Sequence, residues 1–471
     1  MRGEGRGALR LNLDFAKRYV GEKVLQQILN YLGGDPSTNI PRFLQLLELI
    51  TRDPNHREQV RQVKEAYGQD PVIRTYLNKL FTEIEPGVRN RLACNLIVNS
   101  LLLAPARRKQ VEEEEEIHVP FTILIDPTSA CNLKCAGCWA GEYAKRDQLE
   151  PALFDRILQE AKELGIFSIV MSGGEPFMYP HFFEIAEKHN DMAFMVYTNG
   201  TKIDDEAADR LQALGNISPA ISLEGWEERT DERRGSGVFR RIMSGMDRLR
   251  ERGILFGASI TITRRNVDEV TSDEFIDFLI DKGVKYIWTF HYIPIGREPD
   301  LDLMILPEQR GYLVDRIIHL RTHKPIQIID FWNDGELTQG CIAGGRSYFH
   351  ITARGDVEPC AFVHFAVDNI RAKSLKDVLR SPLFTAYQKR QPFAENLLRP
   401  CPVIDVPEAL RAIVAESGAY PTHPGADTVL SGTIGNFLDQ RSADWKAVSD
   451  RIWEQRKAEK EEKKLPRVAA K

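Results

Sequence analysis

Cysteine is scarce in this chain, 7 in 471 residues. The number is odd and the spacing shows no regular pairing, which excludes a disulfide-stapled scaffold and fits metal ligation in a reducing compartment. There is no excess of charge of one sign: 63 lysines and arginines against 68 aspartates and glutamates leave a formal net charge of -5, which argues against a nucleic-acid scaffold. The amino terminus lacks a continuous apolar core, so no signal peptide is read and a cytoplasmic location is expected. The run Val88 to Leu103 ends in Leu101, Leu102 and Leu103, but Asn90, Arg91, Asn95 and Asn99 break it too often to span a bilayer. What is present is an ordinary globular composition, 42% hydrophobic, in a length that accommodates about two or three domains with full cores.

The cysteines that do occur are clustered. Cys131, Cys135 and Cys138 lie in DPTSACNLKCAGCWAGEY, a C-x3-C-x2-C arrangement directly after an apolar strand. Iron-sulfur cubes normally take four thiolates, so a compact three implies either a ligand elsewhere or an iron left open to a small molecule. A structural zinc site wants a closed set of four N or S ligands in paired spacings. After the next helical pattern comes FSIVMSGGEPFMYP, an apolar strand from Phe167 to Met171 followed by Gly173, Gly174, Glu175 and Pro176. Adjacent glycines let backbone carbonyls approach a ligand closely, although alone the same tetrapeptide would mark an ordinary turn.

In this order, the three cysteines and the GGEP turn resemble the radical S-adenosylmethionine (SAM) superfamily. The resemblance implies a 4Fe-4S cluster on Cys131, Cys135 and Cys138, with the amine and carboxylate of SAM on the open iron. It assigns the GGEP segment to the SAM amino group, and it implies an electron donor of flavodoxin or ferredoxin type. Phe121 to Asp126, Phe167 to Met171, Ala193 to Tyr197, Pro219 to Ser222, Phe256 to Thr263 and Tyr286 to His291 read as buried strands. Between them lie helical patterns such as Leu153 to Leu164, Asp204 to Leu214, Val238 to Arg252 and Ser272 to Lys282. Repeated βα units of this kind predict an α/β fold, a partial (β/α)6 barrel of TIM type with ligands at the carboxyl ends of its strands.

Further site residues follow from the resemblance. Ser222, after the fourth strand, matches a serine that contacts SAM, and Thr198, after the third, a substrate-side residue; the alternative for both is a strand-end turn with glycine. Arg234, in DERRGSGVF, is expected to meet a carboxylate of SAM or substrate, unless it is an exposed arginine beside acidic residues. Many members carry an aromatic residue just before the third cysteine, but that position is Gly137 here. Trp139 is the candidate to cover the adenine instead, or it only packs.

Cys341, Gly355 and Cys360, in CIAGGRSYFHITARGDVEPC, resemble the opening half of the SPASM domain, which binds auxiliary iron-sulfur clusters. Tyr348 to Thr352 and Val357 to Ala361 form the expected hairpin. The later, cysteine-dense half of that domain is missing, and only Cys401, in LRPCPVIDVPE, remains to join it. One auxiliary cluster on Cys341, Cys360 and Cys401 is expected, its fourth position filled by another side chain, with His350 and His364 as candidates, or by substrate. Three unrelated buried thiols are the alternative, and Cys94 is read as core. The expected organisation is a helical region with an acidic hinge over 1–116, the barrel over 117–325, the auxiliary region over 326–407 and a helical extension over 408–471.

The prefix repeats a helix-start signal. Asp35-Pro36, Asp53-Pro54, Asp70-Pro71 and Glu85-Pro86 each place an acidic cap before proline at the first helical position. The resulting short helices are read as a cap on the barrel; the alternative is docking on a membrane surface through the leucine run with Arg107, Arg108 and Lys109. The expected reaction is radical removal of hydrogen from an unactivated C–H. An apolar lipid chain is the expected substrate, held in a channel walled by the amino-terminal helices. Modification of a ribosomal peptide or a haem precursor is the alternative within enzymes, and a non-catalytic zinc-binding protein the alternative outside them.

Overall fold

The apolar stretches between the helical patterns form strands in the computed structural model, which describes residues 21–50, 54–144 and 146–464. These are β1 (Thr122–Ile125), β2 (Ser168–Met171), β3 (Ala193–Thr198), β4 (Ile217–Leu223), β5 (Gly257–Ile262), β6 (Tyr286–His291) and β7 (Gln327–Asp330). Each pairs in parallel with the next. The crossover helices bury the stripe their spacing prescribes: in Pro151–Leu164, Phe154, Ile157, Leu158, Ala161 and Leu164 all face the core. Tyr197 on β3 meets Phe290 on β6 with ring centroids 5.6 Å apart, although two strands lie between them in the sheet. Such a contact requires the sheet to curve, with both rings in the barrel lumen.

The hairpin of β8 (His350–Ile351) and β9 (Asp356–Glu358) continues this sheet. β8 pairs in parallel with the free edge of β1, with Leu124 opposite His350 and Ile125 opposite Ile351. β9 and β11 (Asp368–Asn369) extend it antiparallel. One ten-stranded sheet, in the order β11-β9-β8-β1-β2-β3-β4-β5-β6-β7, therefore supports both cysteine sets. β10 (Phe365–Ala366) pairs separately with β12 (Tyr420–Pro421).

Helices of the prefix begin at Pro36, Pro54, Pro71 and Pro86, with the Asp53 cap lying outside the described residues. Asp70 accepts from Val72 N at 2.8 Å and Glu85 from Val88 N at 2.8 Å. These helices dock at the amino ends of the strands. Asn95 Nδ2 donates to the carbonyls of Asn190 and Met192 just ahead of β3, Glu85 N donates to Gly253 O ahead of β5, and Lys285, the residue before β6, pairs with Glu83. The cap thus closes the end of the barrel opposite the motifs, and the channel wall expected of it at the barrel mouth is not where these helices lie. Leu101 and Leu102 remain exposed. Among the described residues no helix is long and apolar enough to cross a membrane.

Candidate functional site

The loop after β1 carries Cys131, Cys135 and Cys138 and is held mainly through its backbone. Ala136 N donates to Arg233 O at 2.9 Å, and Arg233 Nε returns a bond to Ala136 O at 3.1 Å. Arg297 N donates to Cys138 O at 3.0 Å while its Nη2 reaches Gly141 O at 2.9 Å. Gly137 adopts φ +58°, and a Cβ there would lie 2.6 Å from the Tyr292 ring, so Tyr292 fills the space that an aromatic residue before the third cysteine would need. The three sulfurs lie within electrostatic reach of one another. Arg233 and Arg297 act on Cys138, and Arg234 on Cys135 and Cys138, a cationic setting that favours thiolates. Burial pushes the Cys138 thiol up, so an incoming metal displaces its proton. Among the described residues no group of three or more His, Cys, Asp or Glu side chains is already drawn together around a metal position.

The GGEP turn packs directly on that loop. A Cβ on Gly174 would fall 2.1 Å from Ala130 O, and one on Gly173, at φ +109°, 2.6 Å from Thr128 O. Among the described residues neither glycine carbonyl accepts a hydrogen bond, which leaves both free for a donor such as an ammonium group. Glu175 is spent differently. It is fully buried, and its carboxylate accepts from Thr198 Oγ1 at 2.7 Å, Asn199 N at 2.8 Å and Phe177 N at 3.2 Å. Burial pushes its carboxyl up, against the pull of these bonds. Thr198 in turn accepts from Gly200 N at 3.0 Å, so Glu175 and Thr198 join the ends of β2 and β3 through their side chains. Pro176 opens the short helical turn Pro176–Met178. Arg234 is likewise committed: its Nε and Nη2 donate to Glu224 Oε1 at 2.9 and 2.6 Å, which also accepts from Arg233 Nη1 at 2.7 Å. Ser222 is half-buried on β4, in register with Ser259 of β5.

Between this loop and the auxiliary region the lumen is walled by aromatic rings. Tyr197, Trp288, Phe290, Phe331 and Phe362 form a chain of contacts with centroids 5.2 to 6.5 Å apart. Trp139 turns towards Phe362, His350 and His364, so it packs against the auxiliary region. At the same seam His350 Nδ1 lies 2.7 Å from Glu358 Oε2 and its Nε2 2.9 Å from Asp126 Oδ2. Burial works against its charge, but the two carboxylates push it up to about 10. His364 has Nε2 at 2.8 Å from Ala361 O and its other ring nitrogen against His423. Neither histidine lines the cavity of the auxiliary cysteines.

Cys341, Cys360 and Cys401 line a single cavity of about 90 Å³ together with Trp288, Phe331 and Phe362. Tyr348 Oη lies 2.8 Å from Cys360 Sγ and Tyr387 Oη 3.7 Å from Cys341 Sγ. Burial pushes the Cys401 thiol up to about 12. The three thiols line one apolar-walled cavity and are not scattered through separate parts of the core. Cys94, by contrast, is buried in the prefix.

An α/β barrel bearing a three-cysteine loop and a second thiol-lined cavity defines an iron-sulfur enzyme of the SAM-dependent class. The model of the radical SAM superfamily matches residues 125–287, and that of the SPASM iron-sulfur cluster-binding domain matches residues 341–402. The mycofactocin maturase MftC of Mycobacterium tuberculosis is 30% identical over 289 residues, 57% of this chain and 72% of MftC. The AdoMet-dependent heme synthase of Methanosarcina barkeri is 25% identical over 291 residues, 55% of this chain and 82% of the synthase. Among solved structures, Streptococcus suis SuiB bound to S-adenosylmethionine shares the fold with a TM-score of 0.51 at 18% identity, covering 63% of this chain and 75% of SuiB. The chain belongs to the radical SAM superfamily. It is therefore an enzyme that uses a 4Fe-4S cluster and SAM, with auxiliary iron-sulfur chemistry in its SPASM region.

Proposed function

We propose that this enzyme removes hydrogen from an unactivated C–H of an apolar side chain in a peptide substrate, with Cys131, Cys135 and Cys138 holding the SAM-binding cluster and Cys341, Cys360 and Cys401 the auxiliary one. When bound, the first cluster and SAM supply a 5′-deoxyadenosyl radical, and the auxiliary cluster supplies an acceptor for the electron left on the substrate. The protein's own part is placement: Arg233 and Arg297 fix the cysteine loop, Gly173 and Gly174 offer carbonyls to the SAM ammonium, and Ser222 faces the lumen beside them. The observation that carries the reading is the aromatic lumen between the two cysteine sets, which excludes water and takes an apolar group.

The substrate class draws its support from the relatives, MftC being named a maturase and the sporulation killing factor protein SkfB of Bacillus subtilis a maturation protein. A haem precursor is the second reading, favoured by the heme synthase and by the 32% identical Fe-coproporphyrin III synthase of Methanosarcina barkeri. Against it, tetrapyrrole carboxylates call for free cations, and the arginines beside the cysteine loop are spent on Glu224 and on backbone carbonyls. The acyl chain expected from the sequence keeps the lumen as support but loses the wall assigned to the prefix, and none of the relatives named above is a lipid enzyme. The test is anaerobic turnover of the reconstituted enzyme with SAM and dithionite. Peptides bearing deuterated aliphatic or aromatic side chains should pass deuterium into 5′-deoxyadenosine; transfer only from coproporphyrin or from phospholipid vesicles would overturn the peptide assignment.

A further inference from the structure

The third auxiliary cysteine sits at the edge of the SPASM match, which ends at residue 402, and what holds it comes from outside that match. Asp405, fully buried, accepts from Cys401 N at 3.0 Å through Oδ2. Cys401 O in turn accepts from Asp405 N at 2.9 Å and Val406 N at 3.1 Å, and Val403 N points at Cys401 Sγ from 3.4 Å. The other oxygen of Asp405 accepts from Arg310 Nη1 at 2.5 Å. Arg310 belongs to the barrel helix Pro307–His323 and is 3% exposed; its remaining donors reach Leu398 O at 3.0 Å and Asn333 Oδ1 at 3.0 Å. Trp445, from the carboxyl-terminal helix Gly432–Lys464, covers the guanidinium at 4.3 Å and donates Nε1 to the same Leu398 O at 3.0 Å.

A buried pair of this kind is costly to desolvate and expensive to break, so its position against one particular cysteine calls for a role. We propose that the Arg310–Asp405 pair, roofed by Trp445, positions Cys401 for the auxiliary cluster and sets the local charge that tunes its reduction potential. The proposal rests on the assignment of Cys401 as a ligand. Net charge and hydrogen bonds to the sulfurs set the potentials of such clusters, and charges in a dry interior act over longer distances than in water. Asp405 and Arg310 are positioning residues that act through Cys401.

The test is a redox titration of the reconstituted holoenzyme followed by electron paramagnetic resonance of both clusters. Asp405→Asn keeps an oxygen for Cys401 N–H but leaves Arg310 uncompensated, so the auxiliary potential should move positive. Arg310→Gln leaves Asp405 uncompensated and should move it negative. The cluster on Cys131, Cys135 and Cys138 should not move in either variant. Shifts of the same sign, or none at full iron content, overturn the proposal. Should either variant fail to fold, Trp445→Phe retains both charges and should broaden the auxiliary signal alone; an unchanged signal overturns the positioning role. A Cys401→Ala variant that keeps a wild-type auxiliary signal would instead overturn the ligand assignment, which separates the two failures.

Discussion

Glu175 is the residue for which the family resemblance and the geometry ask for different experiments. As a SAM contact its removal would weaken SAM binding and leave the fold alone. As a buried anchor its removal strands Asn199 N, Phe177 N and the Thr198 hydroxyl. At about 1–3 kcal/mol for each donor left unsatisfied, less what Thr198 recovers by rotating, Glu175→Ala should cost about 2–6 kcal/mol of stability. Glu175→Gln keeps one acceptor oxygen and the shape, but turns an amide group on at least one of the same donors; about 1–3 kcal/mol is expected. Thermal melts of the iron-free chain should rank wild type above Gln above Ala. Equilibrium dialysis of SAM against reconstituted Glu175→Gln should show a smaller proportional loss than stability does. The anchor reasoning is refuted if Glu175→Ala melts with the wild type while its SAM affinity collapses.

Two further substitutions probe the same end of the barrel. Gly174→Ala drives a Cβ to 2.1 Å from Ala130 O, a backbone collision with no flexible side chain to yield. It should cost about 3 kcal/mol or more and lower the iron retained on reconstitution, whereas Gly68→Ala, in the helix Pro54–Gln69 with nothing within 4 Å, should gain about 0.5 kcal/mol; equal melting of these two variants would contradict the packing argument. His350 has its folded-state pKa raised to about 10 between Asp126 and Glu358, so its contribution to stability is complete below the ordinary histidine value and is lost as pH rises through about 10. The melting temperature of the wild type should therefore fall towards that of His350→Gln between roughly pH 7 and 10, and parallel curves for the two would sink the assignment of a charged imidazole.

Local chemistry was readable where the partner of a residue lies close in the chain. Asp70-Pro71 and Glu85-Pro86 start helices because carboxylate and proline act on the next turn alone. The strands of the barrel are legible for the same reason, each being a short apolar run between helical stripes. The barrel was expected to end at residue 325, yet Gln327–Asp330 forms β7 because β6 leaves an edge with unpaired backbone groups. The spacing of Cys131, Cys135 and Cys138 points to metal because three ligands fall within eight residues. The grip of Arg297 on that loop spans 156 residues to Gly141, and no local pattern announces it. Glu175 was singled out as part of a motif, but its saturation depends on β3 lying beside β2. The prefix was legible as helices and not as to which end of the barrel they close, since that depends on carbonyls at residues 190, 192 and 253.

The relation between the two cysteine sets also follows from packing that no motif encodes. β8 adds to β1 through Leu124 N to Phe349 O and Asp126 N to Ile351 O, both at 2.9 Å, so the auxiliary hairpin is a strand of the barrel's own sheet and not a module on a linker. At that seam one imidazolium stands between two buried carboxylates, leaving a net negative charge that Tyr143 and Thr422 solvate by donating to Glu358. Asp126 lies on the barrel side of the seam and His350 and Glu358 on the auxiliary side, so parting the two would leave unpaired charges in a dry interior, at about 3–5 kcal/mol for a broken buried pair. Ladder and ion network oppose separation together. The distance between the cysteine loop after β1 and the auxiliary cavity is then a property of the sheet, and the aromatic rings that span it have a fixed gap to fill.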